Sequence, residues 1–176
     1  MDFARAFDLV AGFLEGRGVS VAVVGGLGLH AYGITRATFD LDVVTAADAQ
    51  AALVDFLEAE GYETLHRSPF YSNHVHREPA RGRLDFIYVD PETARRLFPA
   101  CRQLLQLGTR RALVPRPEHL VAMKAQAIRN DPTRALQDLA DVLALLRLPG
   151  VDVDEAHGYF ERAGLQEEWD EVRRRL

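Results

Sequence analysis

Three features of the sequence predict a mixed α/β (α+β) fold. Short β-type runs alternate with helical spacings over residues 1–115. Several of those runs are separated only by turn residues, as in hairpins. Residues 116–176 then carry nothing but helical patterns. The expected layout is a core with a mixed β-sheet and flanking helices over 1–115, and a C-terminal helical region, 116–176, packed on it.

The elements follow in order. Phe3, Phe7, Val10, Phe13 and Leu14 have helical spacing over residues 2–16, and Gly16 and Gly18 stop the helix. "VSVAVVGG" is a β-rich run that ends in glycine, and "LGLHAYG" reads as a short helix closed by Gly33. "TFDLDVV" alternates with period two, so Phe39, Leu41 and Val43 are expected in the core while Asp40 and Asp42 share the other face. Residues 47–60 form an amphipathic helix ended by Gly61. "YETLHR", "FYSNHVHR" and "RLDFIYV" are strands, the last two joined by the turn "EPARG". Asp90 caps a helix opened by Pro91, and "RQLLQLGTRRALV" is a hairpin around Gly108. Helices are expected over 117–130, 132–147, 152–163 and 165–174.

Composition narrows the function. About half of the 176 residues are apolar, enough for a core, and the net charge of −5 argues against a sequence-blind nucleic-acid coat. The N-terminus lacks the apolar stretch of a signal peptide, and no run approaches the roughly 20 residues a membrane span needs. Cys101 is the sole cysteine, so no intrachain disulfide can form. A cytoplasmic protein with no membrane partner is expected. Of 21 basic residues, 20 are Arg, and Lys124 is the exception. Lysine offers a compact, mobile point charge that arginine does not copy.

The chemistry concentrates in "GGLGLHAYGITRATFDLDVVT". Two carboxylates at i and i+2 of a strand converge on one spot, and holding them together out of water is costly unless a cation sits between them. Hard oxygen ligands suit Mg²⁺. If the strand containing Asp85 lies beside Asp40 and Asp42, three carboxylates meet, and such a cluster can hold two metal ions for phosphoryl or nucleotidyl transfer. Gly25 and Gly26, where a strand turns into a helix, would let backbone N–H groups approach a phosphate.

These residues resemble the nucleotidyltransferase superfamily built on the polymerase-β-like core: Gly-Gly, about a dozen residues, then Asp-x-Asp. "YGITRATFDLD" and "PEHLVAMKAQAIRNDPTRALQDLADVLALL" are most similar to AbiEii-type toxin nucleotidyltransferases of bacterial toxin–antitoxin pairs. The resemblance implies transfer of a nucleoside monophosphate from a nucleoside triphosphate (NTP) to an RNA or protein hydroxyl, with a cognate antitoxin as partner. It implies that Gly25 and Gly26 hold the triphosphate and that Asp40 and Asp42 ligate Mg²⁺. Asp85 would be the third carboxylate and the base, and Lys124 would meet a nucleotide phosphate. Arg134, Asp138 and Asp141 would complete the helical side of the cleft. Arg36 and Thr38 are further nucleotide-binding candidates.

Two alternatives stand beside this. Antibiotic nucleotidyltransferases, of aminoglycoside or lincosamide type, share Gly-Gly and the run from Thr35 to Asp42, but usually carry a Trp after the glycines and an acid further on, where this chain has Leu27 and His30. A non-catalytic nucleotide-binding module is the other. His74 and His76 alternate on one strand without a third ligand, so they read as cleft-mouth or solvent-facing residues rather than a zinc site.

Overall fold

The computed structural model describes residues 1–176. The chain divides into two compact units, Met1–Pro115 and Arg116–Leu176.

The first unit contains α1 (Phe3–Glu15), β1 (Val21–Val23), α2 (Gly25–His30), β2 (Asp40–Ala46), α3 (Gln50–Ala59), β3 (Tyr62–Ser68), β4 (Tyr71–His76), β5 (Arg83–Val89), α4 (Pro91–Ala100), β6 (Arg102–Leu107) and β7 (Arg110–Val114). Its seven strands form one sheet in the order β3-β4-β5-β2-β1-β7-β6. Pairing is parallel for β2 with β5 and for β1 with β7, and antiparallel elsewhere. The sheet is therefore mixed, as the hairpins and crossovers in the sequence predict.

Period-two alternation sorts the two faces of the sheet. Leu41, Val43, Leu84, Phe86 and Tyr88 join Phe7, Val10 and Leu14 of α1 and Leu53 and Leu57 of α3 in one buried cluster. Burial of such apolar side chains stabilises by roughly 25 cal/mol per Å² removed from water. Asp90 caps α4 as its position predicts, its carboxylate accepting from the N–H groups of Glu92 and Thr93.

One expectation fails at the start of β2. The strand begins at Asp40, and Phe39 is 84% exposed rather than in the core. Alternation governs a side chain only inside the ladder, and Phe39 lies in the loop that leads into it.

The second unit is helical: α5 (Pro117–Asn130), α6 (Ala135–Leu146), α7 (Val153–Ala163) and α8 (Gln166–Arg173). Pro117 sits in the first turn of α5, where its missing N–H costs nothing. Helix α5 packs on α6 and α7, and α8 packs on both of those. Phe160 and Trp169 meet with ring centroids 5.3 Å apart. No helix in either unit is long and apolar enough to cross a membrane.

Candidate active site

Strands β2 and β5 run parallel with Asp42 directly opposite Asp85. That register places three acids on one face. Carboxylate oxygens of Asp40, Asp42 and Asp85 all lie within 4.8 Å of one another. Hard oxygen donors at this spacing suit Mg²⁺.

Each acid is held differently. The Thr38 hydroxyl donates to Asp40 Oδ1 at 2.9 Å. Asp42 lies against Gly25, where a Cβ would stand 1.9 Å from Asp42 Oδ2. Gly25 also has φ of +57°, a conformation that disfavours any side chain. At Gly26 a Cβ would come within 2.6 Å of Thr38 Cβ. The two glycines thus let the start of α2 pass close to the acid strand and the loop before it. Their closeness to Asp42 and Thr38 adds to the phosphate approach that the sequence suggests for them.

Asp85, 7% exposed, has both oxygens engaged. Oδ1 accepts from Arg83 Nε–H at 2.8 Å, and Oδ2 accepts from the Tyr71 hydroxyl at 3.0 Å. Burial, with the Asp85 charge beside it, pushes the Tyr71 phenol up to about 12. The same bond to Asp85 raises the Arg83 guanidinium above its ordinary value. Asn73, the residue of β4 directly opposite Asp85, has its Oδ1 buried without a hydrogen-bond partner. A buried acceptor left empty is unusual and marks a place where a donor could sit. Tyr71, Asn73 and Arg83 escaped sequence reasoning. Alternation along β4 and β5 puts them on the Asp85 face, but that signal needs the strand register, which the sequence does not state.

Arg36 contributes its backbone to the loop. His30 Nε2 lies 2.5 Å from the Arg36 carbonyl oxygen and 3.1 Å from its N–H nitrogen. The ring pins the segment between α2 and β2 as donor in one tautomer and as acceptor in the other. Leu27, meanwhile, belongs to the core cluster. Leu27 and His30 thus both have structural tasks here.

In the helical unit, the Lys124 ammonium donates to Asp138 Oδ1 at 2.7 Å and to Asp141 Oδ2 at 2.6 Å. Arg134 Nε–H donates to Asp138 Oδ2 at 3.2 Å. Lys124 is 8% exposed, and Asp138 and Asp141 are also buried. Helices α5 and α6 are joined by this cluster, and Lys124 commits two of its three donors to it.

His74 departs from its expected place at a cleft mouth. It is fully buried on the core face, between the Ser72 hydroxyl at 2.8 Å and the Thr64 hydroxyl at 3.1 Å. Burial lowers its imidazole to about 4. Ser72 and His74 alternate on the face of β4 that is buried, which the sequence alone does not mark.

The family model described as aminoglycoside-2''-adenylyltransferase matches residues 7–93. No curated protein gives a significant sequence match. Among solved structures, the solution structure of the antibiotic-resistance factor ANT(2'')-Ia superposes with a TM-score of 0.67 at 12% identity, over 99% of this chain and 98% of that one. The crystal structure of ANT(2'')-Ia with adenylyl-2''-tobramycin gives 0.63 at 12% identity, over 93% and 98%. The lincosamide antibiotic adenylyltransferase LnuA, lincomycin-bound, gives 0.56 at 15% identity, over 81% and 96%. The fold is that of the nucleotidyltransferases. The matches do not support the toxin specificity or an antitoxin partner expected from the Arg36-x-Thr38-x-Asp40 run.

Proposed function

We propose that this chain, built on the nucleotidyltransferase fold, transfers a nucleoside monophosphate from an NTP to a hydroxyl of a small cationic antibiotic of the aminoglycoside class. The observation that carries the reading is the convergence of Asp40, Asp42 and Asp85 on the face of β2 and β5 beside Gly25. The antibiotic adenylyltransferases named above support the choice of acceptor. A net charge of −5 favours approach of a polyamine over RNA.

In this reading the acceptor oxygen attacks the α-phosphorus, the bond from α-phosphorus to the bridging oxygen breaks, and pyrophosphate leaves with that electron pair. The acceptor proton is released. Asp40, Asp42 and Asp85 would hold Mg²⁺, one or two ions. Bound there, the metal supplies charge stabilisation for the attacking and leaving oxygens. Thr38 orients Asp40 through its hydroxyl. Gly25 and Gly26 leave room for backbone N–H groups to face a phosphate. Within the helical unit, Asp138 and Asp141 hold the Lys124 ammonium and leave it one donor for a phosphate.

Incubation with each α-labelled NTP, Mg²⁺ and a panel of aminoglycosides and lincomycin tests the proposal. Label is expected in an aminoglycoside, and Asp42→Ala reduces it by more than the 10–100-fold typical of losing an outer partner of a metal site. Label entering only RNA or protein from cell extract returns the acceptor to a macromolecule. Equal labelling by Asp42→Ala removes the mechanism.

A further inference from the structure

We propose that Arg83 and Tyr71 are positioning residues that clamp Asp85 in the orientation a metal ion needs. The inference rests on the nucleotidyltransferase reading and adds two residues to it.

The geometry is specific. Arg83 lies two residues before Asp85 on β5, so both side chains project from one face. Tyr71 lies on β4 opposite Ile87, diagonal to Asp85. Donors from two different strands therefore reach the two oxygens of one carboxylate, at 2.8 Å and 3.0 Å. A carboxylate held at both oxygens cannot rotate about its terminal bond without breaking a hydrogen bond. Each oxygen has about two acceptor sites, so one per oxygen is left for a further ligand.

Charge points the same way. Three carboxylates with oxygens within 4.8 Å repel one another strongly, and Arg83 offsets one of those charges before any ion arrives. Asp40 has a neutral hydroxyl instead, from Thr38. The buried, unpartnered Oδ1 of Asn73 beside Asp85 adds a further acceptor on the same face. The clamp keeps Asp85 turned toward its two neighbours.

Mn²⁺ binding to the full chain, followed by electron paramagnetic resonance without nucleotide, reads the clamp apart from turnover. Tyr71→Phe keeps the ring and removes only the hydroxyl. It is expected to weaken Mn²⁺ binding by about 10-fold, with Arg83→Met weaker still, within the roughly 10–100-fold range for partners of metal ligands. Arg83→Lys restores part of the loss. In the transfer assay kcat falls while the acceptor KM is unchanged, and the far-UV circular dichroism of Tyr71→Phe matches wild type. Wild-type Mn²⁺ binding by Tyr71→Phe and Arg83→Lys, with binding lost in Asp42→Ala, overturns the clamp and leaves the nucleotidyltransferase reading standing. Wild-type binding by Asp42→Ala overturns both.

Discussion

His74 and Asp85 stand on neighbouring strands, and their different surroundings set their different chemistry. Asp85 on one face meets the donors of Arg83 and Tyr71. His74 on the other has two hydroxyls as its hydrogen-bond partners, those of Ser72 and Thr64. The bonds there run one way. Thr64 donates to Glu58 at 2.7 Å, so its oxygen accepts from His74 Nδ1–H. His74 Nε2 then accepts from Ser72, which accepts in turn from Tyr88. That ordering fixes a neutral imidazole with its proton on Nδ1. The folded value of about 4 lies below the ordinary 6.5, so the unfolded chain takes up the proton first as pH falls. His74 therefore contributes stability in full above pH 6.5 and loses it as pH falls towards 4, at about 1.4 kcal/mol per pH unit. Urea unfolding at pH 4.5 and 7 should show a smaller pH difference for His74→Gln than for wild type. Equal differences would mean that the buried imidazole does not govern this range.

Among the elements, the pair α5 and α6 carries the most charge out of water. Lys124 faces two buried carboxylates, and Arg134 shares one of them. Removing the ammonium takes a charged donor from both buried acids, and breaking a buried pair from one side costs about 3–5 kcal/mol. Lys124→Ala should lose stability on that scale in urea, and a triple variant with Asp138→Asn and Asp141→Asn should recover much of it. A loss under about 1 kcal/mol would show the cluster to be well hydrated. The lone lysine was legible in the sequence as an exception among arginines, and so were the two aspartates one helical turn apart. Their mutual pairing was not. Spacing within α6 shows which residues share a face, but which neighbouring helix that face meets is a tertiary fact. The same limit explains Phe39, whose apolar character suggested burial that the start of β2 does not provide.

Across the whole molecule, the mixed sheet and the helical series were legible because hydrophobic period reports secondary structure directly. Strand order was not, since parallel pairing of β2 with β5 joins residues some 40 positions apart in the chain. The acid pair could be read from Asp40 and Asp42 alone. Asp85 entered the site only on the assumption of that pairing, and Tyr71, Asn73 and Arg83 came with the register. The acceptor was the least legible feature. Leu27 and His30 looked like departures from an antibiotic-modifying enzyme, yet one fills the core and the other pins a loop. Neither position reports on the acceptor.

The proposed chemistry depends on three aspartates of β2 and β5 sharing a divalent cation. Crystals soaked with Mn²⁺ and a non-hydrolysable triphosphate test it by anomalous scattering. The account predicts a peak within about 2.5 Å of carboxylate oxygens from Asp40, Asp42 and Asp85, absent in Asp42→Ala. Bound triphosphate with no metal peak at these oxygens would contradict it.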